Sequence, residues 1–368
     1  SDPCQRRACR RCPESLNLPT KKQAVVAILA AAFALVFLAA CSTATKLATT
    51  AAPPTVEPTA TPVPTPTATT IPYGDFANAE ISPADPERLA QLTKLFSLVP
   101  ESFNSAVFLD LESLKSNESL ADLINPEILG MDVALPSIAT GLVSRIAVAT
   151  DTQNRSLVTP FESEFAIGDI LRLAGGFGIN LGRDGPTSYE GHDVWGINAF
   201  GTVLAIAAAD DTTGVAAAGQ AIAPNDARAL AEASLDAFDG RSATLLDTPG
   251  LSGLLADVPS GFAAAVLSGC STVPLFDDAQ ELSVCTGVAV TADILPGDLV
   301  VFHSLVGFPD QAVAGLAIEQ TAEALEKENR SKDFEDLGVR QEGQNLRIRL
   351  IVSLPKFAEV FQLFAPSN

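Results

Sequence analysis

The sequence predicts an α+β protein with two similar halves, each a mainly antiparallel sheet with helices on one face. Three observations carry this. From residue 73 onward, short apolar runs rich in β-branched residues alternate with stretches whose apolar residues recur at helical spacing. Turn signals such as Asp184-Gly185-Pro186 and Asp210-Asp211-Thr212-Thr213-Gly214 separate neighbouring runs, as in hairpins and meanders. Finally, Val99-Pro100-x-x-Phe103-x-x-Ala106-Val107 returns as Val258-Pro259-x-x-Phe262-x-x-Ala265-Val266, 159 residues later.

Residues 1–40 precede anything globular. Cys4, Cys9 and Cys12 include one CxxC with neither a second pair nor a nearby His, so no zinc site is read there. The chain starts at Ser1 and its only methionine is Met131. Two readings of residues 1–20 stay open: native leader, or sequence foreign to the native protein.

Lys21-Lys22 then opens an unbroken apolar run, Ala24 to Ala40, the basic and hydrophobic parts of a secretory signal. The run ends in Leu38-Ala39-Ala40-Cys41. That ending resembles the lipobox of bacterial lipoproteins, which implies cleavage before Cys41 and lipid on its thiol. Two or more acyl chains, at about 0.8 kcal/mol per buried CH₂, anchor a protein stably where one does not. The competing reading is an uncleaved spanning helix, since 17 residues reach the lower limit for crossing. A spanning helix has no use for a small-small-Cys ending. By the resemblance, the mature protein is held on the extracytoplasmic face of the cell membrane.

Residues 41–72 follow as the lipidated cysteine and a disordered stalk. From Ser42 to Pro72 there are eleven Thr and seven Pro in 31 residues, with almost no charge and no periodicity. Its Pro-rich half favours extended geometry at about 3.1 Å per residue, a reach of several tens of Å.

The two copies are expected at 73–257 and 258–368. Ile146-Ala147-Val148 with Leu157-Val158 echoes Val288-Ala289-Val290 with Leu299-Val300 at an offset of 142, and Glu190-Gly191 echoes Glu342-Gly343 at 152. Order is kept while loop lengths differ. Helices are expected over 86–96, 112–124, 165–174, 225–238, 310–328 and 355–364. Asp310 suits an N-cap for the fifth, with Ala314, Ile318, Ala322 and Leu325 towards the core. Pro355 suits the first turn of the last, whose Phe357, Val360, Phe361 and Phe364 share a face. The globular part resembles the uncharacterised duplicated domains found behind bacterial lipoprotein signals, which implies no activity.

Cys270 and Cys285 close two apolar runs in the second copy. In an exported protein they are expected to form a disulfide.

Charge narrows the partners. Residues 1–40 carry six basic residues against two acidic ones, a net +4, so removing them takes the formal charge from −21 to −25. Such a body repels phosphate, and no nucleic-acid partner is expected. The only two histidines, His192 and His303, lie in no metal-ligand spacing; the first reads as an exposed turn residue and the second as facing outward from a strand. Gly250-Leu251-Ser252-Gly253-Leu254 lacks the second glycine of a nucleophile elbow. The glycines of 175–182 follow a helical run instead of opening one, the reverse of a dinucleotide cradle. Asp184, Glu190 and Asp193 lack EF-hand spacing, so neither metal nor cofactor is expected.

These readings converge on a non-enzymatic envelope lipoprotein that binds an unidentified protein or small molecule, or serves a structural role. Two alternatives stay open. A transporter's solute-binding protein needs two mostly parallel lobes around a cleft. A carboxylate-based hydrolase needs paired acids some 5 to 10 Å apart in a groove.

Overall fold

Most strands of the body bury side chains of both parities, so the sheet is covered on both faces. The computed structural model describes residues 70–71, 81, 83–116, 142–151, 156–176, 185–199, 202–218, 224–270, 284–328, 335–354 and 356. In chain order the elements are β1 (Thr70–Ile71), α1 (Pro86–Phe96), β2 (Ser105–Asp110), α2 (Leu111–Ser116), β3 (Val143–Asp151), β4 (Ser156–Ser163), α3 (Ile167–Gly176), β5 (Thr187–Tyr189), β6 (His192–Ala199), β7 (Thr202–Ala208), β8 (Thr213–Ala218), α4 (Pro224–Phe238), α5 (Leu251–Asp257), β9 (Ala263–Leu267), β10 (Gly287–Leu295), β11 (Leu299–Gly307), α6 (Gln311–Glu328), β12 (Asp336–Glu342) and β13 (Asn345–Ser353).

All thirteen strands join one sheet in the order β1-β12-β13-β11-β10-β9-β2-β3-β4-β8-β7-β6-β5. Every neighbouring pair is antiparallel. The α+β class and antiparallel pairing therefore hold. The parallel lobes of the solute-binding alternative do not occur among the described residues.

The expected placement of helices on one face is corrected. Helices α1, α4 and α5 pack on the face that carries Phe108, Ala147, Ala207, Ala289 and Leu305. The opposite face carries α6 over Val288 and Val306, α2 beside Leu109 and Ile146, and α3 over Trp195, Leu204 and Ile206. Consecutive strand residues point to opposite faces, so Val288 and Ala289, or Leu305 and Val306, cannot share one. The physical reason is visible in β8, where all six residues are buried and neither parity is left for water.

Local chemistry sets several helix starts. The Asp85 carboxylate accepts from the backbone N–H groups of Glu87 and Arg88, and Pro86 occupies the first helical position. Asp310 does the same for Ala312 and Val313 at 2.9 Å each, as expected, and Ala314 and Ile318 are fully buried. The side chains of Ala322 and Leu325 lie outside the described residues, as does the expected helix beyond Lys356 with Phe357, Val360, Phe361 and Phe364. The helix expected over 112–124 is described only as α2, ending at Ser116. Helix α5 was not anticipated. It packs where Gly287 and Gly307 pair across β10 and β11; a Cβ at Gly287 would meet Leu251 at 2.6 Å, and one at Gly307 would meet Leu254 at 3.3 Å.

The sheet is arranged about its central pair, β2 with β9. Ala106 faces Val266 and Val107 faces Ala265, so the repeated Ala-Val pairs lie head to tail across a local two-fold. The 159-residue offset also carries Leu92, Leu95 and Phe96 of α1 onto Leu251, Leu254 and Leu255 of α5, and all six are buried on the same face. Outward from the centre, β2-β3-β4 on one side mirrors β9-β10-β11 on the other. Beyond that the sides differ, because β13 abuts β11 directly whereas β6 is separated from β4 by β7 and β8. Glu190-Gly191 and Glu342-Gly343 both turn hairpins with positive φ at the glycine, but these hairpins occupy different places in the sheet. Residues Thr70–Ile71, placed by the sequence in the stalk, pair instead with β12 at the sheet edge.

Candidate functional site

Two clusters of polar side chains stand out, and each begins with one of the histidines. His192 opens β6 and is not an exposed turn residue: its side chain is only 16% accessible. Its Nδ1 lies 3.1 Å from the carbonyl oxygen of Ala208, and its Nε2 lies 2.9 Å from Asp239 Oδ2. Arg241 then donates to Asp239 at 2.6 Å and to Asp236 at 2.8 Å, while the Tyr189 hydroxyl donates to Asp236 at 3.1 Å. The guanidinium also lies 6.0 Å from the centroid of the Tyr189 ring. Burial works to raise the Asp239 carboxyl, but the hydrogen bond and charge of His192, together with Arg241, outweigh it and hold the group below the usual range. The hydrogen bond to Asp236 raises the Tyr189 hydroxyl, with burial adding to it.

Chemically this is a closed chain. Both carboxylates are spent on one arginine, and the tyrosine and histidine at either end are spent on the carboxylates. It ties the outermost hairpin, β5–β6, to the end of α4.

The second cluster lies on the face that carries α1, α4 and α5, over β10 to β13. His303 pairs across the sheet with Thr291 on one side and Arg349 on the other. Directly opposed residues share a face, so Arg347, opposite Leu305, belongs to the same surface. His303 is half-buried on this surface, among the charged side chains that β12 and β13 place there. Arg347 is 6% exposed; it donates to Glu342 at 2.9 Å and to the Asp257 carbonyl at the end of α5, also at 2.9 Å. Arg349 pairs with Asp336, and Arg340 with Glu342 at 2.6 Å. His303 Nδ1 is buried with no hydrogen-bond partner among the described residues. Burial above all, then the charges of Arg347 and Arg349, push its imidazole down from 6.5 to about 4.

Cys270 and Cys285 form the expected disulfide, with Cα atoms 5.5 Å apart, inside the core under α6. The turn expected at Asp210-Asp211 joins β7 to β8, its Asp210 carboxylate accepting from the N–H groups of Thr212 and Thr213. A cavity of about 20 Å³ between α1 and the entry to β9, lined among others by Arg88, Asp110, Ser260 and Thr291, has room for one water. Leu38, Ala39, Ala40 and Cys41 lie outside the described residues, as does Asp184. Among the described residues no group of three or more His, Cys, Asp or Glu could hold a metal ion, and no helix is long and apolar enough to cross a membrane.

Spacing could not have revealed the His192 cluster. Its two histidine- and tyrosine-bearing ends are 47 residues from their carboxylates and meet only once β6, β7, β8 and α4 have packed.

No protein-family model matches the sequence, and no curated relative matches it. Among solved structures, the chain is similar to crystal form I of TP0453 with a TM-score of 0.41 at 10% identity, covering 73% of this chain and 98% of that one. Crystal forms III and IV of TP0453 give TM-scores of 0.40 at 9% and 11% identity, covering 72% of this chain in each case and 96% and 95% of theirs. A likeness at that level carries no argument about function.

Proposed function

We propose that the chain is a lipid-anchored protein of the outer side of the cell membrane, with lipid on Cys41, a stalk, and a non-enzymatic body that binds or scaffolds. The observation that carries this reading is Leu38-Ala39-Ala40-Cys41 at the end of the apolar run. The Cys270–Cys285 disulfide supports it, because such bonds persist in oxidising compartments. The polar clusters of the body support a structural role, since their charged groups are consumed in pairing with one another.

The body is read as one unit used twice, 73–257 and 258–368, fused across β2 and β9. Its support is the matched burial of α1 and α5 at the 159-residue offset and the mirrored order of three strands about the centre. Loop insertions and the extra hairpin account for the differing lengths.

The test is the Cys41→Ala variant expressed in a bacterium with lipoprotein processing. The expected result is an uncleaved or differently cleaved chain that no longer carries acyl label and is lost from detergent-extracted membranes. Normal mature size with full membrane retention would overturn the anchor.

A further inference from the structure

We propose that His303 is an acid-release latch: protonating its imidazole opens the β12–β13 hairpin away from β11 while the β6–β8 and α4 part of the body stays folded.

The geometry is that of a neutral imidazole set among cations. On the shared face, β13 presents Arg347 and Arg349, and β12 presents Arg340, Asp336 and Glu342. From β10 come Thr291, directly opposite, and Asp293, which lies within electrostatic reach of Arg88 on α1. From α5 comes the Asp257 carbonyl, already taken by Arg347. In the imidazolium both ring nitrogens carry a proton, and the one on Nδ1 is buried and meets no acceptor among the described residues. It would also add a positive charge directly opposite Arg349 on the neighbouring strand. Both effects oppose the charged form; of the three carboxylates on this surface, Asp336 and Glu342 are engaged by arginines, and burial disfavours the charged form of Asp293.

The sign follows. The folded-state value, about 4, lies below the ordinary 6.5, so the opened hairpin binds the proton more tightly than the closed one. Closure is fully supported above pH 6.5 and is progressively lost as the pH falls towards 4. The site of failure is local. Among the described residues, β13 meets the rest of the sheet only through β11, and β12 only through β13 and the two residues of β1. The latch does not depend on lipid at Cys41.

Hydrogen exchange followed peptide by peptide at pH 7 and pH 4.5, corrected for the intrinsic pH dependence of exchange, tests this in the full chain. Peptides from 336–353 are expected to lose at least tenfold in protection at pH 4.5, while those from 202–218 and 224–238 change less than threefold. His303→Leu and His303→Asn, neither of which titrates, are expected to keep the hairpin protected at pH 4.5. Uniform loss across all these peptides would overturn the latch, and so would a wild-type acid response in either replacement. The comparison of hairpin with α4 within the wild-type protein stands without the variants.

Discussion

Gly261→Ala is expected to destabilise the body by at least about 3 kcal/mol, the upper range for overpacking, because the new atom would collide with backbone that cannot retreat. An ideal Cβ there would lie 2.0 Å from the Ala292 carbonyl oxygen, 2.6 Å from its carbon and 3.2 Å from the Asp293 nitrogen. Ala292 and Asp293 belong to β10, which is held by ladders on both sides, to β9 and to β11. Shifting it means breaking hydrogen bonds at the centre of the sheet. The approach is close because the Val258-Pro259 turn brings the chain onto β10 just before β9 begins, with Ser260 tied to the N-cap of α1 through the Asp85 N–H at 2.8 Å. Urea unfolding should show a lower midpoint at an unchanged slope. Gly253→Ala is the control of opposite sign: nothing lies within 4 Å of its added atom, and a helical glycine replaced by alanine gains roughly 0.5–1 kcal/mol. Equal effects at the two glycines would show that backbone entropy, and not the collision at β10, governs both.

Removing the disulfide is the second large effect. Replacing both Cys270 and Cys285 by Ala, or reducing the bond, is expected to cost about 3 kcal/mol by the chain-entropy estimate for the 15-residue separation. The bond lies in the core under α6, with Cys270 2% and Cys285 8% exposed and Val288, Val306 and Phe308 in the same cluster. Reductant should therefore lower the unfolding midpoint of the wild type and leave that of the double alanine variant unchanged. A wild-type midpoint indifferent to complete reduction would mean that packing alone sets the positions of β9 and β10.

What was legible in the sequence had local causes. Helix α1 could be read because Asp85 and Pro86 supply a cap and a first turn beside each other, and α6 because Asp310 precedes a long apolar stripe. The Val-Pro-x-x-Phe-x-x-Ala-Val motif could be read at both places because it leads into a strand in each, β2 and β9. Helix α5 escaped notice because seven residues with a glycine inside carry too little periodicity; what makes it a helix is a seat on Gly287 and Gly307, more than thirty residues away. The two-sided sheet escaped for a related reason. Strands such as β8 are buried at every position and show no polar-apolar alternation, so they do not announce which face is covered, and the helices that cover each face are placed by packing. His192 looked like a turn residue because its partners, Asp239 and the Ala208 carbonyl, are assembled by three strands and a helix. For His303, alternation along β11 says which residues share its face, and not that β13 brings Arg347 and Arg349 onto that face beside it.

Lipid on Cys41 is the claim on which the layout of anchor, stalk and body depends, and the mass of the N-terminal peptide of the mature, membrane-extracted protein tests it most directly. The predicted result is a peptide that begins at Cys41 and carries two or more acyl chains. A peptide that begins upstream of Cys41, or a Cys41 with a free thiol in the membrane-bound protein, would contradict it.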